Sequence, residues 1–271
     1  MDALFYAHSR GSSGSYPVSV GGGSGLMASL PLWAPNAELD GVEIRVSTRK
    51  GGVSQSPYDS LNLAEHVGDD TECVAENRRR LAEALPGNAV CWLNQVHGVR
   101  AVKAKAGVVP EADAHWVDVC NQPLAVLTAD CLSVVFIARD ASCVGVAHAG
   151  WRGLAAGVLE SLLSAMPVEP ASVAAWLGPA VSAAAYEVGP EVKTIFEHQC
   201  GEASGNCFQP SDRQGRWMAD LTALARLSLA QAGVPTIAGG DRCTYGEPEH
   251  YFSYRREGPT TGRMATLVWL S

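Results

Sequence analysis

A chain of 271 residues, 47% hydrophobic and 18% charged, holds ample apolar material for a globular core. Its net charge of −8 and the absence of any Lys/Arg-rich run argue against nucleic acid or an acidic membrane surface as a partner. Eight cysteines with no C-x-x-C pair and no preceding signal peptide argue against a disulfide framework and lead to the expectation of a reducing cytoplasm. The most apolar stretch, Leu124 to Ala149, is broken by Asp130, Arg139 and Asp140, which suits successive buried strands and not a membrane span. A monomer is expected, although no motif fixes the oligomeric state.

Residues 1–26 differ from the rest. Gly11-Ser12-Ser13-Gly14-Ser15 and Gly21-Gly22-Gly23-Ser24-Gly25 are flexible-linker compositions, and Met27 offers a natural start. They are read as an extension, and residues 27–271 as one domain. Val42–Arg49 alternates like a strand and runs into the turn Gly51-Gly52. Thr71 can cap a helix from Glu72 to Leu85, which Pro86-Gly87 ends. Cys91–Val96 reads as a strand stopping at His97-Gly98, a second follows near Val99–Lys105, and Asp113-Ala114 falls in a turn. Pro123–Thr128 and Leu132–Ala138 are apolar strands separated by Ala129-Asp130-Cys131. Cys143–Ala147 is a buried strand ending on His148, and a helix is predicted from Gly150 to Met166, halted by Pro167. Ser172–Leu177 is a strand, Pro190–Gln199 a helix with proline at its first position, and Trp217–Gln231 has helical periodicity. Tyr251–Arg256 and Arg263–Leu270 look like closing strands. Strands outnumber helices and often follow one another, so the expected fold class is α+β with mixed sheets, not a doubly wound parallel sheet.

Three residues sit alike, at a strand end or in the turn after a strand: His97, Cys131 and His148. If neighbouring strands bring these ends together, two imidazoles and a thiolate converge. Such a set suits zinc, with ligands at ~2.0–2.3 Å, and leaves a fourth position open for water or substrate. Spacing alone does not separate a ligand from an ordinary hydrogen-bonded histidine, or Cys131 from a buried apolar filler.

The motifs add a resemblance. Thr48-Arg49-x-Gly51-Gly52-Val53-Ser54, Ser60-Leu61-Asn62-Leu63 and His66-Val67-Gly68-Asp69 resemble the opening blocks of the YfiH family, also called the laccase-domain or multicopper polyphenol oxidase domain family. Asn94-Gln95-Val96-His97-Gly98, Thr128-Ala129-Asp130-Cys131, His148-Ala149-Gly150-Trp151-Arg152-Gly153, Gly178-Pro179 and Tyr186-Glu187-Val188-Gly189 follow in that family's order. Phe252-Ser253-Tyr254-Arg255-Arg256 and Gly262-Arg263-Met264-Ala265 complete it. The resemblance implies a layered α/β fold with mixed sheets flanked by helices, and a zinc site at His97, Cys131 and His148. It further implies phosphorolysis of adenosine, inosine and methylthioadenosine, with adenosine deamination as a side activity and copper-dependent phenol oxidation in some relatives. Two departures stand out. Ser133 replaces a frequent proline, and His115-Trp116 replaces an aliphatic pair, a change expected to reshape a nearby pocket.

Phosphorolysis needs a seat for phosphate and one for the purine, so the partners implied are a small nucleoside and phosphate. Arginines in turns make phosphate clamps. The candidates are Arg49, Arg152, Arg255 and Arg256, with Arg49 and Arg255 preferred, and Gly51-Gly52 could bring backbone N–H groups to the anion. Trp151 either stacks on the base or packs in the core. Deamination needs a proton carrier, yet the H-x-E glutamate of zinc deaminases is missing. Asp130 is the nearest acid and joins the triad as a catalytic candidate, with Glu187 as another. Seven histidines without a His-x-His pair fit a multicopper centre poorly, although one copper at the triad could give weak oxidation. Cys131 could instead be a thiolate nucleophile activated by His97 or His148, in an amidase like relatives that edit peptidoglycan precursors. A structural zinc closed by His66, Cys143 or Cys243 would make the chain a binding module.

Overall fold

Alternation along the strands decides what each face of the two main sheets meets. The computed structural model describes residues 30–34 and 40–271. The extension expected at 1–26 lies outside the described residues. In chain order the strands are β1 (Leu32–Trp33), β2 (Val42–Ser47), β3 (Ala101–Lys103), β4 (Ala114–Val117), β5 (Leu124–Thr128), β6 (Leu132–Ala138), β7 (Val144–Ala149), β8 (Val173–Leu177), β9 (Glu187–Val188), β10 (Phe208–Pro210), β11 (Trp217–Ala219), β12 (Thr236–Gly239) and β13 (Met264–Leu270). The helices are α1 (Thr71–Glu83), α2 (Trp151–Ala156), α3 (Val158–Ala165), α4 (Pro190–Cys200), α5 (Leu221–Gln231) and the single turn α6 (Tyr254–Glu257).

The larger sheet has the order β12-β8-β6-β7-β4-β3, and the smaller one β1-β2-β13-β5; β9–β11 form a third, small sheet. The larger sheet is mixed, since β12/β8 and β3/β4 are parallel and its other pairs antiparallel. In β6, Val135 and Ile137 join Val144, Val146 and Trp176 against Ile44, Val126 and Val268 of the smaller sheet. Their neighbours Val134 and Phe136 point the other way, onto Leu154, Leu159, Leu162 and Phe196 of the helices. The smaller sheet repeats the device. Leu267 and Trp269 of β13 turn their backs on the sandwich and pack with Leu81 of α1. The result is one domain of four layers, helix on sheet on sheet on helices, in line with the expected layered fold.

Several local expectations are revised. Cys91–Val96 is not a strand: it makes only isolated bridges, Cys91 to Leu124 and Asn94 to Glu111. Ala114 is not in a turn but opens β4, fully buried against β7. The Gly150–Met166 helix breaks at Gly157, whose φ of 94° only glycine adopts readily. The helical reading of Trp217–Gln231 is right only from Leu221, because Trp217–Ala219 pairs with β9 and β10 and Asp220 caps the helix. Tyr251–Arg256 does not close the sheet: Ser253 caps α6 there. Asp70, not Thr71, caps α1 by accepting from Glu72 N and Cys73 N. All eight cysteines are free, and among the described residues no helix is long and apolar enough to cross a membrane.

Phe136 is fully buried on the central strand of the larger sheet. Phe136→Ala is expected to cost about 3–5 kcal/mol, read as a lowered midpoint in denaturant titration.

Candidate metal centre

The chain leaves the smaller sheet at the end of β5 and enters the larger one at β6, crossing in the three residues Ala129-Asp130-Cys131. The crossing is tight enough to put Asp130 at a φ of 93°. Its carboxylate holds the turn by accepting from Thr244 Oγ1 at 2.6 Å, Ser253 Oγ at 3.0 Å and Arg255 N at 2.6 Å. Cys131 is thereby fixed at the mouth of the sandwich. His148 arrives on β7, paired in register with Ser133. His97 comes from the loop after Asn94, in the left-handed region with a φ of 60°.

One buried carboxylate orders both histidines. Asp113 Oδ1 accepts from His97 N at 2.9 Å and from His148 Nδ1 at 2.8 Å. Its Oδ2 accepts from Gly98 N at 2.7 Å and Val96 N at 3.2 Å. The Asp113 carbonyl also accepts from His148 N at 2.7 Å. Three successive amides are thus wrapped around one acid, which offsets the unfavourable backbone angle at His97. The Nδ1–H donation fixes the tautomer of His148 and leaves Nε2 as its free nitrogen. Gln95 pins the same loop to the smaller sheet, with its amide donating to Leu127 O and accepting from Leu127 N.

Two glycines make room. A Cβ on Gly150 would stand 2.9 Å from Cys131 Sγ and 3.1 Å from His97 Cδ2. One on Gly153 would meet Gly98 O at 2.9 Å. The Gly-Trp-Arg-Gly turn therefore lets the His97 loop lie against the start of α2.

The three expected ligands meet: His97, Cys131 and His148 offer atoms all within 4.8 Å of one another. The rings of the two histidines stand edge to face at 4.7 Å, and Cys131 Sγ lies 3.9 Å from His97 Nε2. Burial pushes the Cys131 thiol up, but the charge and hydrogen bond of His148, with help from His97, outweigh it and bring it down to about 6. Burial pushes His148 down, and the Cys131 thiolate and the Asp113 carboxylate overcome that and raise it to about 9. Two nitrogens and a thiolate, one imidazole already oriented from behind, fit a soft or borderline ion such as zinc or copper. His66, Cys143 and Cys243 do not join the group among the described residues.

The triad lies in a cavity of about 420 Å³, within the range of small-molecule sites. Asp130, Trp151 and Arg255 line it as well, together with Arg152, a candidate that was not the preferred one, His66, considered only as a fourth metal ligand, and Tyr186 and Arg263, which sequence reasoning did not select for the site. Asp130 faces three donors through its two oxygens, so its geometry is that of an anchor for the turn and not of a proton carrier. Glu187 is likewise engaged, by Ser211 and Arg213. Arg49 does not line the cavity. Its guanidinium binds Glu257 at 2.8 Å, donates to Asp59 O at 3.1 Å and stacks on Phe252, so it ties the opening motif to the chain's last segment. Arg256 shares Glu257 and donates to three backbone carbonyls. His115 also fails to reach the cavity. It is buried on β4 with Nε2 unpartnered, so it does not reshape this pocket.

The family model described as "Multi-copper polyphenol oxidoreductase laccase" matches residues 43–271. The chain belongs to this family. Among relatives of this laccase-domain chain, a protein named purine nucleoside phosphorylase from Pseudomonas aeruginosa is 48% identical over 240 residues, covering 89% of this chain and 97% of its own. Purine nucleoside phosphorylase YfiH of Escherichia coli is 49% identical over 245 residues, covering 89% and 98%. A crystal structure from Neisseria meningitidis superposes with a TM-score of 0.80 at 44% identity, covering 90% of this chain and all of that one. YlmD from Geobacillus stearothermophilus gives 0.80 at 34% identity, covering 85% and 92%.

Asp113→Asn would set an amide N–H against the amides of Val96 and Gly98. It is expected to weaken zinc binding about 10- to 100-fold in a competitive chelator titration, as the loss of an outer-shell partner does elsewhere. In metal-stripped protein the thiolate–imidazolium pair exists between the two shifted values. Its stabilisation is lost as pH falls through about 6, where Cys131 protonates, and as pH rises through about 9, where His148 deprotonates. Ultraviolet thiolate absorbance should therefore rise near pH 6, and that step should be missing in Cys131→Ser.

Proposed function

We propose that this chain is a zinc-dependent purine nucleoside phosphorylase acting on adenosine, inosine and methylthioadenosine. The observation that carries the reading is the meeting, in one cavity, of a three-donor metal set, aromatic walls and guanidinium groups. The names of relatives that align along nearly their whole length support it. His97, Cys131 and His148 would hold the metal, which when bound supplies a Lewis acid with an open position. Trp151 and Tyr186 offer flat walls for the purine, and Arg255 a fork for the phosphate. A phosphate oxygen bonds to C1′ of the ribose while the C1′–N9 bond breaks with its electron pair going to the purine. The purine takes up the proton that hydrogen phosphate gives up, and the products are the free purine and ribose 1-phosphate, or 5-methylthioribose 1-phosphate from methylthioadenosine. Side chains that hold both reactants in line contribute mainly through orientation.

Adenosine deamination is a side reaction at most, because Asp130 is engaged as an acceptor, Glu187 is engaged by Ser211 and Arg213 and does not line the cavity, and no other acid among the described residues lines it. Copper bound by the same donors would give weak phenol oxidation. A second reading has its own geometric support. Cys131, His148 and Asp113 form a thiol–imidazole–carboxylate relay, the arrangement of a nucleophile, its base and the group that orients the base. This is the amidase reading, in which Cys131 would be acylated.

Incubation with adenosine, with and without phosphate, decides among these. Adenine and ribose 1-phosphate formed only with phosphate are expected. Inosine without phosphate would mean a deaminase. Neither product, with an acyl adduct trapped on Cys131, would replace the proposal by the amidase.

A further inference from the structure

Most arginines near this end of the sandwich are neutralised. Arg49 and Arg256 share Glu257, Arg78 pairs with Glu65, and Arg242 pairs with Glu247. The three that line the cavity are not: among the described residues Arg152, Arg255 and Arg263 have no carboxylate partner. Asp130, the one carboxylate lining the cavity among the described residues, accepts from Thr244, Ser253 and the backbone N–H of Arg255. In a chain of net charge −8, three guanidiniums without an ion-pair partner among the described residues therefore gather on one concave surface, with the charges of Asp130 and Cys131 acting on Arg263 from a distance.

Their partners hold them without cancelling their charge. Arg263 Nη1 donates to the carbonyls of Thr261 and Gly262 at 2.7 and 3.0 Å, and its guanidinium lies 6.0 Å from the Tyr254 ring. Arg255 Nη2 donates to Glu187 O at 2.9 Å, and its guanidinium lies 5.3 Å from the Tyr186 ring. Arg152 stacks on Trp151 at 4.5 Å, with no hydrogen-bond acceptor among the described residues. A guanidinium carries five N–H donors, so each of the three keeps a free edge. Aromatic faces and carbonyls fix the orientation of these forks, and Arg263, half-buried where Arg152 and Arg255 are exposed, is the one whose burial raises the cost of staying unpaired. An acceptor with several oxygens and two negative charges answers all three, and planar forks recognise phosphate oxygens two at a time. His66, on the same cavity, is held below its ordinary pKa by burial and by the charges of Arg263 and Arg78, so it adds a neutral donor.

We propose that Arg152, Arg255 and Arg263 together form the seat of inorganic phosphate in this cavity, with Arg263 as its most enclosed member and Arg49 outside it. The inference rests on the phosphorolysis reading for its choice of anion and deepens it, since it replaces a two-arginine clamp with a three-arginine seat in the cavity that holds the metal-binding triad.

The test is calorimetric titration of the full chain, as purified, with inorganic phosphate and no nucleoside. Arg263→Gln, Arg255→Gln and Arg152→Gln are compared with wild type and with Arg79→Gln, an exposed arginine on α1. Thermal midpoints check that each variant is folded. At least a tenfold rise in the dissociation constant is expected for each cavity variant, no saturable binding for Arg255→Gln/Arg263→Gln, and no change for Arg79→Gln. Unchanged phosphate binding in folded cavity variants overturns the seat, and so does a wild type that takes up no phosphate. Adenosine 5′-monophosphate is offered in parallel, and tighter arginine-dependent binding of that monoester than of free phosphate overturns the assignment to inorganic phosphate. Adenine release is scored separately. Arginine-dependent phosphate binding without phosphorolysis upholds the seat and rejects the reaction, whereas phosphorolysis with arginine-independent binding does the reverse.

Discussion

The buried carboxylate of Asp113 organises this end of the molecule. Four hydrogen bonds converge on its two oxygens, three from consecutive amides of the His97 loop and one from the His148 ring. Burial alone would favour the protonated acid, but the His148 hydrogen bond, helped by the amides of Gly98 and Val96, holds Asp113 below the usual carboxylate range. The ionised form is the one that can accept from all four donors. The positions of two candidate ligands, on segments far apart in sequence, are therefore set by one charge. Ligand geometry in this fold is a property of a strand start as much as of the ligands themselves.

The crossing at Ala129–Cys131 gives the site its location. A sandwich needs somewhere for the chain to pass from one sheet to the other, and that connection carries backbone groups that no ladder satisfies. Here Val181 N donates to Asp130 O, and the Asp130 carboxylate collects the 244 and 253–255 segments. The third candidate ligand thus sits where the two sheets, the α6 turn and the start of α2 meet. The chemistry is built at a seam between layers, where side chains from distant parts of the chain converge on a concave surface.

The sequence shows the elements with the strongest local signals. The apolar runs of β5, β6, β7 and β8, and the proline-started helix α4, stand close to where periodicity puts them. The candidate ligands were visible because each ends or follows such a run. What was hidden depends on pairing over long range. Cys91–Val96 has strand composition, but only two of its residues find bridge partners. Tyr251–Arg256 is aromatic-rich like a strand, yet capping by Ser253 and the anchoring of Arg255 N on Asp130 turn it into α6. Asp113 carried no signal beyond standing before an apolar stretch, and its partners lie 15 to 35 residues away. Among the arginines the motif could not tell structure from site. Arg49 stands in a conspicuous glycine-rich block, while Arg263 looks like the first residue of a strand. Only the position of the carboxylates separates them, and that is a fact of the fold.

The place of Glu257 carries a further consequence. This one carboxylate takes Arg49 from the opening motif, Arg256 from its own turn and the Thr261 hydroxyl from the next. It stands between Arg255 and Arg263 in sequence, so it braces the segment from which both project into the cavity. The glycine-rich opening block acts as a remote clasp on that wall, joined to it through the Arg49–Glu257 pair. Slackening the clasp would blur the aim of two guanidiniums without touching anything they bind, and in kinetics such a change would look like the loss of a ligand contact. The stiffness of that wall therefore depends on a contact made outside the cavity, between segments about two hundred residues apart in sequence.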